Sequence, residues 1–374
     1  MSWRDRADRE AAAIRAAGRW RAPRDLDARG PVGRLGDGRE VVSFASNDYL
    51  GLSAHPAVVA AAHEALDRWG AGSGSARLIV GSRPVHGALE DALARWKGAG
   101  AAALFPTGFA ANLGVLSTFG GPDVLVCSDE LNHASIIDGC RLSRARVAVY
   151  RHGDLDHLGE LLAAAGGAPA IVVTDTVFSM DGDVADVDAV VALAARHGAL
   201  TVLDEAHAVL GPEVHVDPDA DVLRVGTLSK TLGSLGGFVA GPRRYVELLA
   251  NRARPYIFTT ASTPADAAAA LAALRVLRSP EGAALVARLR AHVDRLRAGH
   301  PSPILPFVCG AEERALAASA ALLDHGLLVP AIRPPTVPPG TSRLRVTVSA
   351  AHTDEHLERL EHALAAVFGE VPAR

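Results

Sequence analysis

The strongest constraint on the fold is a repeated alternation of short apolar runs with longer helical stretches between residues 101 and 226. Helical periodicity between the runs is clear, for example over residues 186–197. Short strands that are apolar on both faces are typical of a parallel sheet covered by helices on both sides. The sequence therefore predicts an α/β fold with a mostly parallel central sheet. The predicted strands are residues 101–104, 124–127, 147–149, 170–174, 200–203 and 223–226.

The segments on either side of this alternation have a different character. Before it, an Ala/Arg-rich helical segment and the Gly- and Pro-rich residues 29–38 predict an N-terminal arm over residues 1–40. After it, long helices alternate with weaker strand signals, which predicts a smaller α+β domain. We therefore predict a large domain over residues 41–263 and a C-terminal domain over residues 264–374.

Composition excludes several classes of function. The formal net charge of −4 offers no basic surface of the kind that holds nucleic acid. The N-terminus is charged, which argues against a signal peptide, and no apolar run reaches the roughly 18 residues of a membrane span. We therefore predict a cytoplasmic protein. Cys127, Cys140 and Cys309 lack metal-ligand spacing, so we predict reduced core thiols and no metal site.

Two charged residues follow neighbouring predicted strands, where ligands bind in α/β sheets. Asp204 follows the run 200–203, and Lys230 follows the run 223–226 in a turn rich in hydroxyl groups and glycine. A desolvated lysine has a lowered pKa and acts as an amine nucleophile or base. We interpret Lys230 as the amine that binds the aldehyde of pyridoxal phosphate (PLP) and Asp204 as the partner of its ring nitrogen. The plain alternatives are a solvated surface lysine and a helix N-cap aspartate.

Two histidines lie where they would contact the same cofactor. His207 is one helical step after Asp204 and is predicted to reach the ring hydroxyl of PLP or a substrate. His133 follows another strand and is predicted to stack on the pyridine ring. Each is alternatively a core histidine with satisfied hydrogen bonds.

A strand-to-helix junction supplies the predicted phosphate site. Gly108 and Phe109 open a helix, so their amides face an anion at the positive end of the helix dipole. Thr227 and Ser179, each just beyond an apolar run, are predicted to add hydroxyl donors. In isolation Ser179 is equally typical of a turn.

Taken together, these motifs resemble the α-oxoamine synthases, PLP enzymes of fold type I (aspartate-aminotransferase-like) that condense an amino acid with an acyl thioester and release CO2. The stretch 332–338 (IRPPTVP) favours the member of the family that serves biotin biosynthesis. The remaining motifs are residues 46–53 (SNDYLGLS), 107–112 (TGFAAN), 177–183 (VFSMDGD), 204–207 (DEAH) and 227–230 (TLSK).

The resemblance implies that L-alanine condenses with a pimeloyl thioester, carried on CoA or on a carrier protein. It implies the roles given above for the PLP residues, and adds substrate contacts. Arg345 matches the arginine that grips the amino-acid carboxylate, and Asn47 is implied as a further substrate contact. Arg21 and Thr336 match contacts to the acyl substrate, with Arg19 as an alternative to Arg21.

The resemblance also implies a homodimer with shared active sites, because Thr260 resembles a hydroxyl that reaches the phosphate from a neighbouring subunit. Two departures from the family pattern are present. The loop after His207 is shorter than usual, which leaves the shape of the acyl channel open, and the turn after Lys230 reads TLGSLGG. Three other functions stay open: a family member with other substrates, an aminotransferase, and a non-catalytic relative that binds partners.

Overall fold

The computed structural model describes residues 1–217 and 219–369, so residues 370–374 of the predicted C-terminal domain lie outside the described residues. The helices are α1 (Trp3–Ala16), α2 (Pro56–Trp69), α3 (Pro84–Lys97), α4 (Gly108–Phe119), α5 (Ala134–Ser143), α6 (Leu155–Ala163), α7 (Val187–Arg196), α8 (Arg243–Arg252), α9 (Arg254–Ile257), α10 (Pro264–Leu277), α11 (Pro280–Leu296), α12 (Glu312–Asp324) and α13 (Asp354–Phe368). The strands are β1 (Leu26–Ala28), β2 (Val32–Leu35), β3 (Glu40–Ser43), β4 (Ala101–Phe105), β5 (Leu125–Asp129), β6 (Arg146–Tyr150), β7 (Ala170–Asp175), β8 (Leu200–Asp204), β9 (Val222–Thr227), β10 (Gly237–Gly241), β11 (Ile304–Gly310), β12 (Leu327–Leu328), β13 (Ala331–Ile332) and β14 (Ser342–Thr347).

The central sheet of the described chain has seven strands in the order β4-β10-β9-β8-β7-β5-β6. The strands from β9 to β6 run parallel to one another, which confirms the mostly parallel sheet that the sequence predicts. β10 lies antiparallel between β4 and β9 and is absent from the predicted strands. Its five residues are all buried but begin and end with glycine, so the segment resembles a turn in sequence.

The start of β10 shows why glycine is needed there. A Cβ atom on Gly237 would lie 2.4 Å from the carbonyl oxygen of Thr107, the N-cap residue of α4. Backbone packs directly on backbone, and a larger residue would force the two segments apart. This contact positions the first turn of α4 beside the ends of β9 and β10.

Helices cover both faces of the sheet. In β7, Ile171 and Val173 pack into one apolar cluster with α4, α5 and α8, whereas Val172 packs into a second cluster with α6 and α7. The alternation follows from the two-residue repeat of a strand. Both faces of β7 and β8 are buried, and the charged residue of each of these two strands lies at its carboxyl end.

The C-terminal part of the chain forms its own small sheet, with β14 antiparallel to β11 and β13. The strands of the N-terminal segment join a separate four-stranded sheet, in which β3 pairs in parallel with β12. The N-terminal strands β1–β3 therefore share a sheet with residues 327–328, far along the chain. The division into domains at residues 40 and 263 stays a prediction.

Two further properties of the described residues bear on the expectations from composition. In that part of the chain, no helix combines the length and apolar character needed to cross a membrane. All three cysteines also lie within it, and each is buried with a free thiol. Burial raises the pKa of both Cys127 and Cys140 to about 11, which makes them inert core residues.

Candidate active site

Charged residues from three strands meet at the carboxyl edge of the central sheet. Asp175 ends β7 and Asp204 ends β8, and the two are paired in the parallel ladder. Lys230 follows the end of β9 by three residues. Burial raises the pKa of the Asp175 carboxyl well above its ordinary value, and the nearby charge of Asp204 raises it further. The neutral form of Asp175 is thereby favoured beside Asp204.

The environment of Lys230 makes its amine reactive. Burial lowers the pKa of Lys230 to about 8, although the charge of Asp204 opposes this shift. The positive charge of Arg345 lowers the pKa of Lys230 further. A much larger fraction of the amine is therefore neutral near pH 7 than in an ordinary lysine, as a nucleophile requires. The alternative of a solvated surface lysine is wrong.

A chain of hydrogen bonds leads from Lys230 to Asn47. His207 Nε2 lies 2.7 Å from Lys230 Nζ, and His207 Nδ1 lies 2.5 Å from the Tyr49 hydroxyl. That hydroxyl donates to Asn47 Oδ1 at 3.3 Å. Burial lowers the pKa of His207 well below its ordinary value, and the charge of Lys230 adds to the effect.

A neutral His207 has one donor nitrogen and one acceptor nitrogen, and one position of its proton satisfies the whole chain. The amine of Lys230 donates to Nε2, Nδ1–H donates to the Tyr49 oxygen, and the Tyr49 hydroxyl donates to Asn47. Every member is satisfied by this one arrangement. The contact of His207 with the ring hydroxyl of PLP stays a prediction.

Asp204 is held by donors on both carboxylate oxygens. Asn112 Nδ2, on α4, donates to Oδ2 at 2.6 Å, and the backbone amide of Ala206 donates to Oδ1 at 2.9 Å. The helix N-cap alternative is wrong, because residues 206–207 form a turn and the next helix in the described chain is α8. Asp204 thus presents a carboxylate of fixed orientation on the side of Lys230.

His133 is the N-cap residue of α5, and its imidazole is exposed at the same edge. Its backbone amide donates to Asp175 Oδ2 at 2.9 Å, and its Nδ1 lies 2.7 Å from the Ser135 hydroxyl. Phe109 lies edge-on to the imidazole, with ring centroids 6.3 Å apart. The imidazole is exposed, as the predicted stacking role needs.

The first turn of α4 has the properties of an anion site. Amides in the first turn of a helix have no intrahelical acceptor, so those of Gly108 and Phe109 are available to a ligand. Thr227 packs on this turn, because a Cβ on Gly108 would lie 3.3 Å from its Cβ. The hydroxyl of Ser229 lies 2.7 Å from that of Thr227 and adds a donor that sequence reasoning missed.

Arg345, on β14, is buried with its side chain at the same edge. Its Nε donates to the carbonyl oxygen of Ser179 at 2.5 Å, and both terminal nitrogens lie 3.2 Å from Asn47 Oδ1. Among the described residues it makes no ion pair, so its charge is available to a substrate carboxylate. Ser179 contacts Arg345 through its backbone carbonyl. The hydrogen bond from its hydroxyl to the phosphate of PLP stays a prediction.

The N-terminal arm reaches the segment that precedes β14. Arg19 forms an ion pair with Glu312, with Nη2 2.5 Å from Oε1. Arg21 instead donates to the carbonyl oxygen of Pro334 at 3.3 Å, two residues before the exposed Thr336. Among the described residues Arg21 forms no ion pair, whereas Arg19 is paired with Glu312.

Thr260 lies on an exposed part of the surface near an apolar patch. The next residue, Ala261, bonds through its amide to the Ser75 carbonyl oxygen at 3.0 Å, which ties it to the π-helical turn Arg77–Gly81. That turn exposes 52% of Leu78, 74% of Ile79 and 69% of Val80. Three adjacent apolar side chains this exposed are typical of an interface between proteins. The contact of Thr260 with a neighbouring subunit's cofactor stays a prediction.

A charged cluster that the sequence analysis missed holds the segment 177–183 in place. His152 Nδ1 lies 3.0 Å from Asp129 Oδ1, and its Nε2 lies 2.7 Å from Asp183 Oδ2. Burial lowers the pKa of His152, but the bonds to the two aspartates outweigh burial and the net pKa is raised. His152 therefore links the segment 177–183, whose Ser179 carbonyl accepts from Arg345, to Asp129 at the end of β5.

Most of the missed residues could have been found from the sequence, but Tyr49 could not. Asp175 and Asp129 end buried strands, and His152 follows the edge strand β6 by two residues, so the strand-end rule that identified Asp204 applies to all three. Tyr49 lies in the motif 46–53 but follows no strand of the central sheet, and no periodicity marks it.

These groups fit PLP as a cofactor. The edge combines an amine with a lowered pKa, an oriented carboxylate, two uncommitted helix amides and two hydroxyls, which match an aldehyde, a pyridine nitrogen and a phosphate. Asn112 Oδ1, beside Asp204, is buried with no hydrogen-bond partner in the described part of the chain. That leftover acceptor is consistent with a polar group joining the site.

Comparisons with known proteins agree with this chemistry. The family model for aminotransferase class I and II matches residues 39–364. An 8-amino-7-oxononanoate synthase from Anaeromyxobacter dehalogenans is 52% identical over 362 residues, covering 92% of this chain and 90% of that protein.

Solved structures are similar over nearly the whole chain. Serine palmitoyltransferase from Sphingomonas wittichii has a TM-score of 0.88 and 33% identity, with 97% of each chain covered. A structure of SPT with PLP internal aldimine has a TM-score of 0.89 and 30% identity, covering 99% of this chain and 98% of that one. The chain therefore belongs to the 8-amino-7-oxononanoate synthase family, the PLP-dependent acyltransferases of biotin biosynthesis among the α-oxoamine synthases.

Proposed function

We propose that the chain condenses L-alanine with a pimeloyl thioester to give 8-amino-7-oxononanoate, CO2 and a free thiol. The observation that carries the proposal is a relative of that name at 52% identity over 92% of the chain. Within the site, Arg345 offers an unpaired guanidinium to an amino-acid carboxylate beside the reactive lysine. We also propose the cytoplasm as the compartment.

The residues around Lys230 are assigned to PLP as follows. We assign Lys230 to the aldehyde, Asp204 to the ring nitrogen, and His133 to the ring face. The amides of Gly108 and Phe109 are assigned to the phosphate, and the hydroxyls of Ser179, Thr227 and Thr260 are assigned to the same group. When bound, PLP supplies an aldehyde that joins amines covalently and a ring that accepts electron density from the substrate α-carbon.

Lys230 is suited to move the proton on the α-carbon of alanine. Once its amine is free, its pKa of about 8 places it near the operating pH, where a general base is most effective. His207 accepts a hydrogen bond from the amine through Nε2 and so orients it toward the substrate. Tyr49 and Asn47 hold the imidazole in the tautomer that makes this possible.

We assign the orientation of the substrate to the residues at the Asn47 end of the hydrogen-bond chain that begins at Lys230. Arg345 binds the carboxylate of alanine, and Asn47 positions the guanidinium through its Oδ1. Arg21 and Thr336 are assigned to the acyl substrate, at the place where the N-terminal arm meets Pro334. Because Asn47 touches both Arg345 and Tyr49, it links the carboxylate site to the lysine.

We also propose that the chain acts as a homodimer whose subunits complete each other's sites. The exposed apolar side chains of residues 78–80 lie beside the segment that carries Thr260, and burying them would stabilise association. Sedimentation equilibrium tests this, with Ile79→Asp expected to give monomers that bind PLP weakly. A dimer that survives Ile79→Asp with full PLP affinity would contradict the assignment of this surface.

The substrate assignment is tested by thiol and CO2 release from the PLP-loaded protein. L-Alanine with pimeloyl-CoA is expected to release both, and glycine or serine with the same thioester should react far more slowly. Pimeloyl carrier protein, tested in parallel, distinguishes the two acyl sources. Faster turnover with serine and a long-chain acyl-CoA would instead favour the activity named for the structural relatives.

The cofactor assignment has its own test. Borohydride reduction of the holoenzyme is expected to fix PLP on the peptide that contains Lys230. Label on any other lysine would overturn the assignment of the whole site.

A further inference from the structure

A second charged site lies on the other side of the strand ends. Asp204 and Glu205 are consecutive, so their side chains leave opposite faces of the sheet. Asp204 faces Lys230, whereas Glu205 turns away and forms ion pairs with Lys97 Nζ and Arg224 Nε. The exposed fractions of these side chains are 2% for Glu205, 10% for Lys97 and 12% for Arg224. One buried carboxylate is thus shared by two cations, and a net positive charge remains.

This triad borders a cleft of about 1190 Å³. The cleft lies between the segment 208–217, the end of α3 and the facing sides of α10 and α11. The segment 208–217 is the one that is shorter here than the loop usual in the family. Pockets that bury small ligands are commonly about 300–1,000 Å³, so the cleft can hold a molecule of metabolite size.

The charges that line the cleft favour an anion. Glu205 and Glu213 are its two carboxylates, against five cations: Arg95, Lys97, Arg224, Arg278 and Arg290.

Two of these lining charges are paired outside the triad. Arg290 is paired with Asp294 at 2.8 Å, and Glu213 lies 3.5 Å from His215. Arg95 and Arg278 form no ion pair within the described residues. Two guanidinium groups at the mouth are therefore free to bind an anionic group.

The remaining wall of the cleft is apolar. It is lined from five different segments of the chain by Trp96, Val209, Leu210, Phe238, Leu277 and Val286. Cationic groups at the mouth and apolar side chains along the wall match a molecule with an anionic head and an apolar chain. Ala208 and Thr231 also line the cleft, next to His207 and Lys230, so an occupant would contact residues adjacent to the reactive lysine.

We propose that this cleft binds an organic anion that carries an apolar chain, at a site that adjoins the PLP site through Thr227, which also lines the cleft. Titration calorimetry of the PLP-loaded protein with octanoate, octyl phosphate, octanol and octylammonium tests the chemistry. Each anion is expected to bind once per chain, and octanol and octylammonium to bind at least about tenfold more weakly. A preference for octyl phosphate over octanoate would identify a phosphate head, and the reverse a carboxylate. Equal affinity for octanol, or no binding of either anion, would overturn the proposal.

Paired variants locate the site. Arg95→Gln with Arg278→Gln is expected to weaken octanoate binding about tenfold, because two cations at the mouth are lost. Arg275→Gln, on α10 but outside the cleft, should leave the affinity unchanged.

A steric pair gives a second measurement. Ala287→Trp, on α11 inside the cleft, should abolish octanoate binding, whereas Ala284→Trp, exposed on the same helix outside the cleft, should not. If binding persists in Ala287→Trp or is lost equally in the two tryptophan variants, the anion does not occupy this cleft.

Discussion

Two desolvated lysines lie on opposite sides of the end of β8, and their neighbours give them different chemistry. Lys97 forms a direct ion pair with Glu205, which Arg224 shares. Lys230 contacts a neutral histidine, and its carboxylates act through space without a direct hydrogen bond. Burial lowers the pKa of both amines, and at Lys97 the direct contact with Glu205 opposes that shift.

The comparison teaches that burial alone does not make a lysine reactive. Burial raises the pKa of Glu205, and the charges of Lys97 and Arg224 outweigh it, so the net pKa is lowered and the pair stays charged. At Lys230 the hydrogen-bond acceptor is the Nε2 atom of His207, which satisfies the amine without a counter-charge. The neutral acceptor His207 leaves the amine of Lys230 available as a nucleophile. The charged acceptor Glu205 instead binds Lys97 in an ion pair that stabilises the fold.

The largest expected effect is the loss of activity in Lys230→Ala. Both the cofactor linkage and the proton on the substrate depend on this amine, so thiol release should fall about a thousandfold or more. The free energy of unfolding of the variant should not fall, because the amine is desolvated at a cost. Lys97→Met serves as the control and should keep activity. Activity within tenfold of the wild type in Lys230→Ala would break the comparison.

Next in size is the effect of Lys97→Met on stability. Removing one of the two cations around a buried carboxylate should lower the free energy of unfolding by about 2 kcal/mol, measured in urea. Lys230→Met should show no such loss, since it removes no direct ion pair. If the two variants were equally stable, the ion pair at Lys97 would not be the structural counterpart of the amine at Lys230.

The pH dependence of cofactor attachment separates the two lysines further. The rate at which the cofactor-free protein combines with PLP should rise about tenfold per pH unit below the pKa of Lys230, and level off above pH about 8. The lowered pKa of Lys230 also makes the stability of the folded chain depend on pH. The pKa of Lys230 is about 8 in the folded chain and 10.5 for an ordinary lysine, so the unfolded chain binds more protons between these pH values. The free energy of unfolding therefore rises as the pH increases over that range. Lys230→Met should lack that rise, and a flat rate profile would contradict a desolvated amine.

The smallest expected effect tests whether His152 helps to position Arg345 near Lys230. His152→Gln loses the charged bridge between Asp129 and Asp183, so the KM for alanine should rise about fivefold, equivalent to about 1 kcal/mol. The value of kcat should change little, because His152 acts through the position of Arg345.

The sign of the pH effect at His152 follows from its raised pKa. The stabilising contact is complete below pH 6.5 and is lost as the pH rises through the folded pKa of His152. The wild-type KM should therefore rise over that range, and the KM of His152→Gln should not. His197→Gln, at an exposed helix end, is the control. An unchanged KM in His152→Gln would remove this residue from the positioning of Arg345.

Sequence reasoning was most successful where a residue's role follows from its place at the end of a strand. Asp204 and Lys230 follow short apolar runs of neighbouring strands, so their meeting at one edge was predictable from the parallel sheet alone. β10 was not predicted, because its glycines reflect backbone packing against Thr107, which has no local signature. His152 obeyed the strand-end rule but was overlooked, and Tyr49 lies outside the rule altogether.

The sequence by itself determined the alternation that makes a parallel sheet, the lysine and aspartate at its edge, and the family to which they belong. Only the tertiary structure decided how the surroundings of Lys97 and Lys230 differ, because that depends on what each amine touches across the sheet. It also decided the direction of the bonds from Lys230 to Asn47, which join residues 183 positions apart. Periodicity along a chain reports which face a residue occupies, whereas pKa values depend on distances between charges that only the folded chain brings together.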